Sequence, residues 1–517
     1  MGAEDQLRKA VHLPHLRVTN FGPIRKADLE LRPLSIFVGP SNSGKSYLAI
    51  LLYALHRYIS GQVQRASHTI YGFLESEYGN SFPEEQRSLR EAHKEWVQFM
   101  SHSRQGETSG RAWLSIPSTV SDFLRQILGT LSQAGLQQEI TRCFGMEATA
   151  FHRKGSTSNP KAVLRSIPVW NNERIESRLS LNSDHSHPFT ALPEDWKLHV
   201  AATEVDRAFQ WAESSESFES RASAKLPLIW LTLTKVINIV AGFFYGSFSK
   251  NAYYLPADRT GIMHAHRAIV GAVLENVPMA GIHPVPSLPL LSGITADFLS
   301  QLIRSHNPNQ LTTQLHKDNA LSHVCAELEN RLLDGAVQSM NSQGLNYPEW
   351  KYQPRDWQDS IPLKNASSMV SELAPVVLYL RHLVAPGNTL IIEEPESHLH
   401  PAKQVQFARQ LAAIVKAGVR VIITTHSEWV LDEFANLVGL SSVPASARNS
   451  IDGGAFALEA AQVGAWLFKH ESEAEGSTLA QIDIDESGLY PAGFEEVAIQ
   501  LHNNWSSIFS KSEYGDD

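Results

Sequence analysis

The sequence predicts an α/β fold: a mixed or parallel sheet with flanking helices, an antiparallel lobe and helical insertions. Three observations carry that expectation. A strand, a glycine-bearing loop and a helix follow one another in "LSIFVGPSNSGKSYLAILLYALHRYIS". Toward the other end, "NTLIIEEP", "PAKQVQFARQLAAIVKAG" and "VRVIITTHS" alternate strand, helix and strand, the order of a parallel sheet with both faces covered. Between them, "KAVLRSIPVW" and "RIESRLSLNS" alternate apolar and polar residues as half-buried antiparallel strands do, with "NNE" as a turn.

Taken in order, residues 1–61 hold strands at Leu16–Val18, Ala27–Leu31 and Leu34–Val38, a turn at Phe21–Pro23, and the loop with its helix. Residues 62–225 change texture: charged helical segments ("PEEQRSLREAHKEWVQFM", "TVSDFLRQILGTLSQAGLQQEITRCF") precede the antiparallel strands, so this part reads as an insertion plus a lobe. Residues 226–260 are a core helix and the strand "AYYLPADR". Residues 261–362 read as a mainly helical lobe with Pro-rich connections, and 363–440 return to the α/β core. The C-terminal extension, 441–517, is weakly patterned, with a small helix expected in "DESGLYPAGFEEVAIQLHNNW".

Composition narrows the function classes. At 517 residues, 43% apolar and 19% charged, the chain has an ordinary folded profile with room for a large core. A net charge of -10 excludes a uniformly basic nucleic-acid coat but leaves room for a local basic patch, so direct DNA contact stays open. Only Cys143 and Cys325 occur, at no ligand spacing, which argues against a disulfide scaffold or zinc site and fits a reducing compartment. The N-terminal residues show no secretory pattern, and a cytoplasmic location is expected. The run "LPLIWLTLTKVINIVAGFFYGSF" approaches bilayer length, yet Lys235 and Asn238 lie near its centre, so it reads as a buried helix and no membrane partner is expected.

"GPSNSGKS" is a complete GxxxxGK[ST] phosphate loop in the strand-to-helix context that such loops need. Gly39, Pro40, Ser41, Asn42, Ser43, Gly44, Lys45, Ser46 and Tyr47 are the candidate nucleotide-binding residues. Backbone N–H groups near Gly44 and the helix N-terminus would face phosphate oxygens, Lys45 would bridge the outer phosphates, and the Ser46 hydroxyl would hold Mg²⁺. ATP and Mg²⁺ are the expected substrate and cofactor.

Glu393 and Glu394 stand at the end of the apolar strand in "TLIIEEPESHLHP", where open α/β sheets bind ligands. Glu393 is the second candidate metal ligand, and Glu394 is the candidate that polarises the attacking water. The competing reading is an acidic helix start, with Glu396 favouring the helix from Pro401. His426, at the end of the next strand, is placed to contact a γ-phosphate or fix the water. The pairs His398/His400 and His264/His266 lack a third ligand at suitable spacing and read as ordinary polar contacts.

"VTNFGPI", "GPSNSGKS", "YLPADR", "SSMVSELAP", "IIEEPESHLHP" and "TTHS", in this order, resemble ABC-type ATPases of the SMC/RecF/OLD group. The order looks most like the AAA family ATPases of bacterial anti-phage systems such as Septu and PARIS. The resemblance implies an ABC-type P-loop ATPase head that sandwiches nucleotide between two copies, a homo-oligomer. The serine signature then falls on Ser367 and Ser368, although "SSMVSEL" is also an ordinary helix-cap pattern. Met369 stands where transporters carry glycine, and Glu393 where the metal carboxylate is usually Asp. Asp258 and Arg259 occupy the place of the usual glutamine, either sensing nucleotide and coupling lobes or forming a structural ion pair.

The implied function is an ATPase that senses a trigger, DNA or a phage protein, and controls a separately encoded effector, a nuclease by expectation; no nuclease site is read in this chain. A RecF- or SMC-like repair ATPase and a nucleotide-gated scaffold with little hydrolysis are the alternatives.

Overall fold

The computed structural model describes residues 13–77, 245–276, 291–306, 320–341, 348–448, 450–472, 476–485 and 488–490, with shorter segments between 91 and 242 and at 503–506. Its principal strands, in chain order, are β1 (His15–Phe21), β2 (Ile24–Glu30), β3 (Leu34–Val38), β4 (Lys161–Ser166), β5 (Ser177–Leu181), β6 (Ala252–Leu255), β7 (Gly335–Asn341), β8 (Pro348–Pro354), β9 (Ile361–Pro362), β10 (Thr389–Glu393), β11 (Arg420–Thr425), β12 (Val463–Ser472), β13 (Gly476–Gln481), β14 (Asp483–Asp485) and β15 (Gly488–Tyr490). The principal helices are α1 (Lys45–Glu77), α2 (Gln133–Phe144), α3 (Arg259–Asn276), α4 (Gly293–Ser305), α5 (Ala320–Glu327), α6 (Ser368–His382), α7 (Pro401–Lys416) and α8 (Glu428–Gly439). The fold is α/β, with a mixed sheet, flanking helices and a separate small antiparallel sheet.

The chain divides into two compact units, one comprising the residues up to Phe21 and Leu51–Ala252, the other Gly22–Ile50 and the residues from Tyr253 on. In the first, β1, β4 and β5 pair antiparallel, with Val18 opposite Ala162 and Leu164 opposite Leu179. Val18, Ala162 and Leu164 are buried, so the period-2 pattern put one face of this lobe into a core. Phe21, Phe144 and Phe151 cluster there, Phe21 stacking on Phe151 at 5.1 Å. Of the long apolar run, Ile237, Ala241, Tyr245 and Phe248 are buried, and no described helix is long and apolar enough to cross a membrane. Most of the charged segment at 83–100 and most of the helix expected within 485–505 lie outside the described residues.

In the second unit the strand order is β6-β10-β11-β3-β12-β13-β2. Strands β10, β11, β3 and β12 run parallel, with Glu393 opposite Thr424, Thr425 opposite Val38 and Leu467 opposite Val38. All five residues of β3 and of β10 are buried, as strands covered on both faces must be. The core continues through Leu373, Val377 and Leu380 of α6, Leu411 and Ile414 of α7, and Leu437 of α8.

Two regions hold strands that the sequence did not lead one to expect. Residues 261–362 are not only helical: β7, β8 and β9 form an antiparallel sheet, with Val337 opposite Tyr352. Val337, Trp350 and Tyr352 are buried, and "EWKYQ" shows the period-2 pattern that the Pro-rich surroundings obscured. The C-terminal extension supplies β12 and β13 to the main sheet, and Asp485 and Gly488–Tyr490, where a helix was expected to start, belong to the antiparallel strands β14 and β15.

Candidate functional site

Parallel pairing of β10, β11 and β3 in register brings their C-terminal ends side by side, and each end carries one of the sequence motifs. From Val38 the chain turns through the phosphate loop into α1, whose first turn begins with Leu48 N–H donating to the Gly44 carbonyl at 3.0 Å. Gly39 and Gly44 have φ of +145° and +99°. A Cβ on Gly39 would meet the Phe468 carbonyl at 2.7 Å, and one on Gly44 would meet Ile24 and Pro23 at 2.9 Å. Glycine is therefore required twice, for conformation and for space. Asn42, also left-handed at +61°, is a residue type that tolerates that region.

Lys45 is buried, its Nζ donating to the carbonyls of Gly39 (2.9 Å) and Pro40 (2.7 Å). Burial pulls its pKa down to about 8, while the charges of Glu394, Glu396 and Glu393 pull it up. The lysine thus stands in the field of all three carboxylates of the β10 exit. The Ser43 hydroxyl is buried without a hydrogen-bond partner, an orphan donor inside the loop.

Glu393 ends β10 and is buried; Oε2 accepts the Ala257 N–H at 3.2 Å, and Oε1 has no partner. Burial pushes its carboxyl up, against Ser46, the Ala257 N–H and Tyr254, which pull it down. A buried carboxylate with a free oxygen, facing the Ser46 hydroxyl, is a hard-oxygen donor set that suits Mg²⁺. The sequence-based pairing of Ser46 with Glu393 is thus one that the fold brings together.

Glu394 takes the left-handed conformation, φ +43°, which turns the chain out of the strand. Its N–H donates to the Thr424 carbonyl at 2.9 Å, its carboxylate accepts the Ser397 hydroxyl at 3.3 Å, and Oε1 lies 3.8 Å from His426 Nε2. Burial and Lys45 hold the His426 ring below the ordinary imidazole pKa, with Glu394 pulling the other way. A half-exposed carboxylate beside a largely neutral imidazole can orient a water and accept its proton.

Three features escaped the sequence reading. Glu396 does not serve the α7 N-terminus. Its Oε1 accepts the Thr425 hydroxyl (2.8 Å) and the His426 N–H (2.7 Å), fixing the β11 exit, and burial pushes its carboxyl up. The α7 cap is His400, whose Nδ1 accepts the Ala402 N–H at 3.3 Å. Strand β12 walls the loop at Phe468, a long-range pairing that its own letters do not announce. Arg259 pairs not with Asp258, which is exposed, but with Glu372 of α6. The local signal was a cation four residues past the apolar strand "AYYL".

Ser367 and Ser368 occupy the exposed N-terminus of α6, where the Ser367 hydroxyl caps the Val370 N–H at 3.4 Å. Capping therefore accounts for Ser367, and Ser368 remains exposed. His264 bonds the Ser371 hydroxyl and His266 the Met263 carbonyl, and no group of three metal-ligating side chains occurs among the described residues.

Solved structures similar to the chain include the SmcHead bound to the C-winged helix domain of ScpA (9% identity, 91% of this chain and 98% of that one covered, TM-score 0.34). An Smc head domain with an extended coiled coil, bound to the C-terminal domain of ScpA from Pyrococcus furiosus, gives 10%, 96%, 100% and 0.35. The SMC head domain from Thermotoga maritima gives 9%, 92%, 100% and 0.33. No curated protein matches the chain. Residues 291–431 match the AAA ATPase domain, a stretch that takes in Ser367, Ser368, Glu393, Glu394 and His426 and begins after the phosphate loop.

Proposed function

We propose that this chain is an ATP-binding and ATP-hydrolysing head of ABC type that pairs with a second copy of itself and, so paired, controls a separately encoded effector, a nuclease, in defence against phage. The observation that carries the ATPase part is the convergence, at three parallel strand ends, of Lys45, Ser46, Glu393, Glu394 and His426. The pairing and the defence role rest on the order of the sequence motifs.

In this reading the loop backbone and Lys45 hold the phosphates, and the α1 dipole adds to their field. Ser46 and Glu393 would hold Mg²⁺, which would supply charge neutralisation on the phosphates. Glu394 orients the attacking water and takes its proton, while His426 steadies the same water or the γ-phosphate. Ser368, exposed on a helix N-terminus, meets the nucleotide of the second copy.

Replacing Ser368 by Arg tests the reading. A single head should still bind ATP, whereas turnover and ATP-driven pairing, followed by light scattering, should both disappear. Normal hydrolysis by this variant would reduce the stretch to a helix cap. Pairing without any turnover in the wild type would favour a scaffold. Co-purification of a neighbouring gene product with nuclease activity tests the defence role.

A further inference from the structure

Arg259 is fully buried at the start of α3, and its guanidinium reaches three parts of the molecule at once. Nη1 donates to the carbonyls of Glu393 (2.7 Å) and Pro256 (3.0 Å), and Nη2 points to the Glu394 carbonyl at 3.3 Å. Nε donates to the Glu372 carbonyl at 3.2 Å, and Nη2 lies 2.5 Å from the Glu372 carboxylate, itself fully buried. The other carboxylate oxygen accepts the Thr260 hydroxyl. One cation therefore holds the main chain of both glutamates of the β10 exit and the first turns of α6.

Such an arrangement is costly as a mere brace. A buried ion pair loses the hydration of both charges, and an apolar pair of similar volume is often as stable. What an apolar pair cannot do is hold carbonyl groups. Glu394 needs that hold: its left-handed backbone is sparsely populated for a residue with a side chain and persists only where its surroundings fix it. The planar fork of arginine suits several acceptors at fixed angles, which an ammonium does not.

We propose that Arg259 is a positioning residue that ties the N-terminal turns of α6 to the backbone of Glu394, so that the placement of Ser367 and Ser368 sets the aim of the catalytic carboxylate. This rests on the ATPase reading above. The link is discrete: moving α6 relative to β10 breaks contacts to Glu372 or to the Glu393 and Glu394 carbonyls.

Two variants of the full chain test it. Arg259→Met with Glu372→Leu removes both charges without leaving either orphaned, and Arg259→Lys keeps the ion pair but loses the fork. Each is compared with wild type for ATP turnover, for KM, and for direct binding of a fluorescent ATP analogue. Both variants are expected to bind the analogue within about twofold of wild type while kcat falls at least tenfold. Wild-type kcat in Arg259→Lys would overturn the proposal, as would wild-type kcat in a folded double variant. Loss of binding in step with kcat would do so too, since the residue would then be a general structural brace. A wild type that binds the analogue without hydrolysing it would instead sink the ATPase reading, an outcome separate from all of these.

Discussion

The phosphate loop and the β10 exit turn the chain out of two parallel strands, β3 and β10, that flank β11, by the same backbone device, and they solve its steric problem in opposite ways. The loop uses Gly39 and Gly44 where φ is positive and a Cβ would collide with Phe468 or with Pro23 and Ile24. The β10 exit places a full glutamate side chain at φ +43°. In the proposed ATPase reading, the difference follows from the chemistry each position would serve. A loop that wraps phosphate needs its own N–H groups and no side chain, whereas the exit must present a carboxylate and therefore bears the strain. Neighbouring bonds hold that strain in place: the Glu394 N–H to Thr424, and Arg259 to the Glu394 carbonyl.

The contrast is broken most severely at the carboxylate. Glu394→Gln preserves shape and removes the carboxylate proposed as proton acceptor. Loss of such a group typically costs 10²–10⁴-fold, so turnover in a steady-state phosphate-release assay should fall about 10³-fold, or about 4 kcal/mol of barrier. Nucleotide binding should persist.

At the loop, Gly44→Ala asks the same backbone to carry a methyl group 2.9 Å from Ile24 and Pro23. Strain of this kind costs about 1–3 kcal/mol, so ATP affinity by calorimetry should drop up to about 100-fold as the loop shifts to relieve it.

A subtler difference is electrostatic. Burial pulls the Lys45 pKa down to about 8 from the ordinary lysine value of 10.5. Phosphate favours the protonated amine, so ATP affinity should weaken by up to about tenfold per pH unit above 8, with proton uptake on binding. The sign for stability is opposite. Between pH 8 and 10.5 the unfolded chain holds the extra proton, so this group adds stability as pH rises and withdraws it as pH falls through 8. Affinity and thermal-unfolding profiles over this window should diverge.

The smallest effect sharpens the comparison most. Glu394→Gly gives the exit the residue that its backbone prefers. Relief of a left-handed conformation is worth about 1–2 kcal/mol, less about 0.5–1 kcal/mol for the extra chain entropy of glycine, so the variant should be inactive yet more stable by about 0.5–1 kcal/mol in urea. A destabilised variant would mean that the bond from Ser397 to the carboxylate outweighs the strain.

Much of this site could be read from the letters because its backbone demands are local. "GPSNSGKS" carries its glycines where φ is positive, and "TLIIEE" and "VIITT" show buried strands that end in polar groups. The strand limits Leu34–Val38 match the sequence expectation for the same reason. The role of Glu396 was not legible because three acidic residues before a helix also look like dipole compensation, and only the neighbouring strand supplies the Thr425 and His426 donors. Residues 441–490 were weakly read because the pairing of β12 with β3 is long-range, so its stabilisation comes from a partner more than four hundred residues away.

The sequence by itself determined the α/β class, the phosphate loop and the identity of the acidic and imidazole side chains, because glycine placement, apolar runs and turn residues act within a few residues of one another. Tertiary structure alone decided that Arg259 pairs with Glu372 rather than Asp258, that Phe468 walls the loop, and that Glu393 keeps an unpartnered oxygen. Each of these depends on which groups are excluded from water together, and burial is a property of the packed chain rather than of any stretch of it.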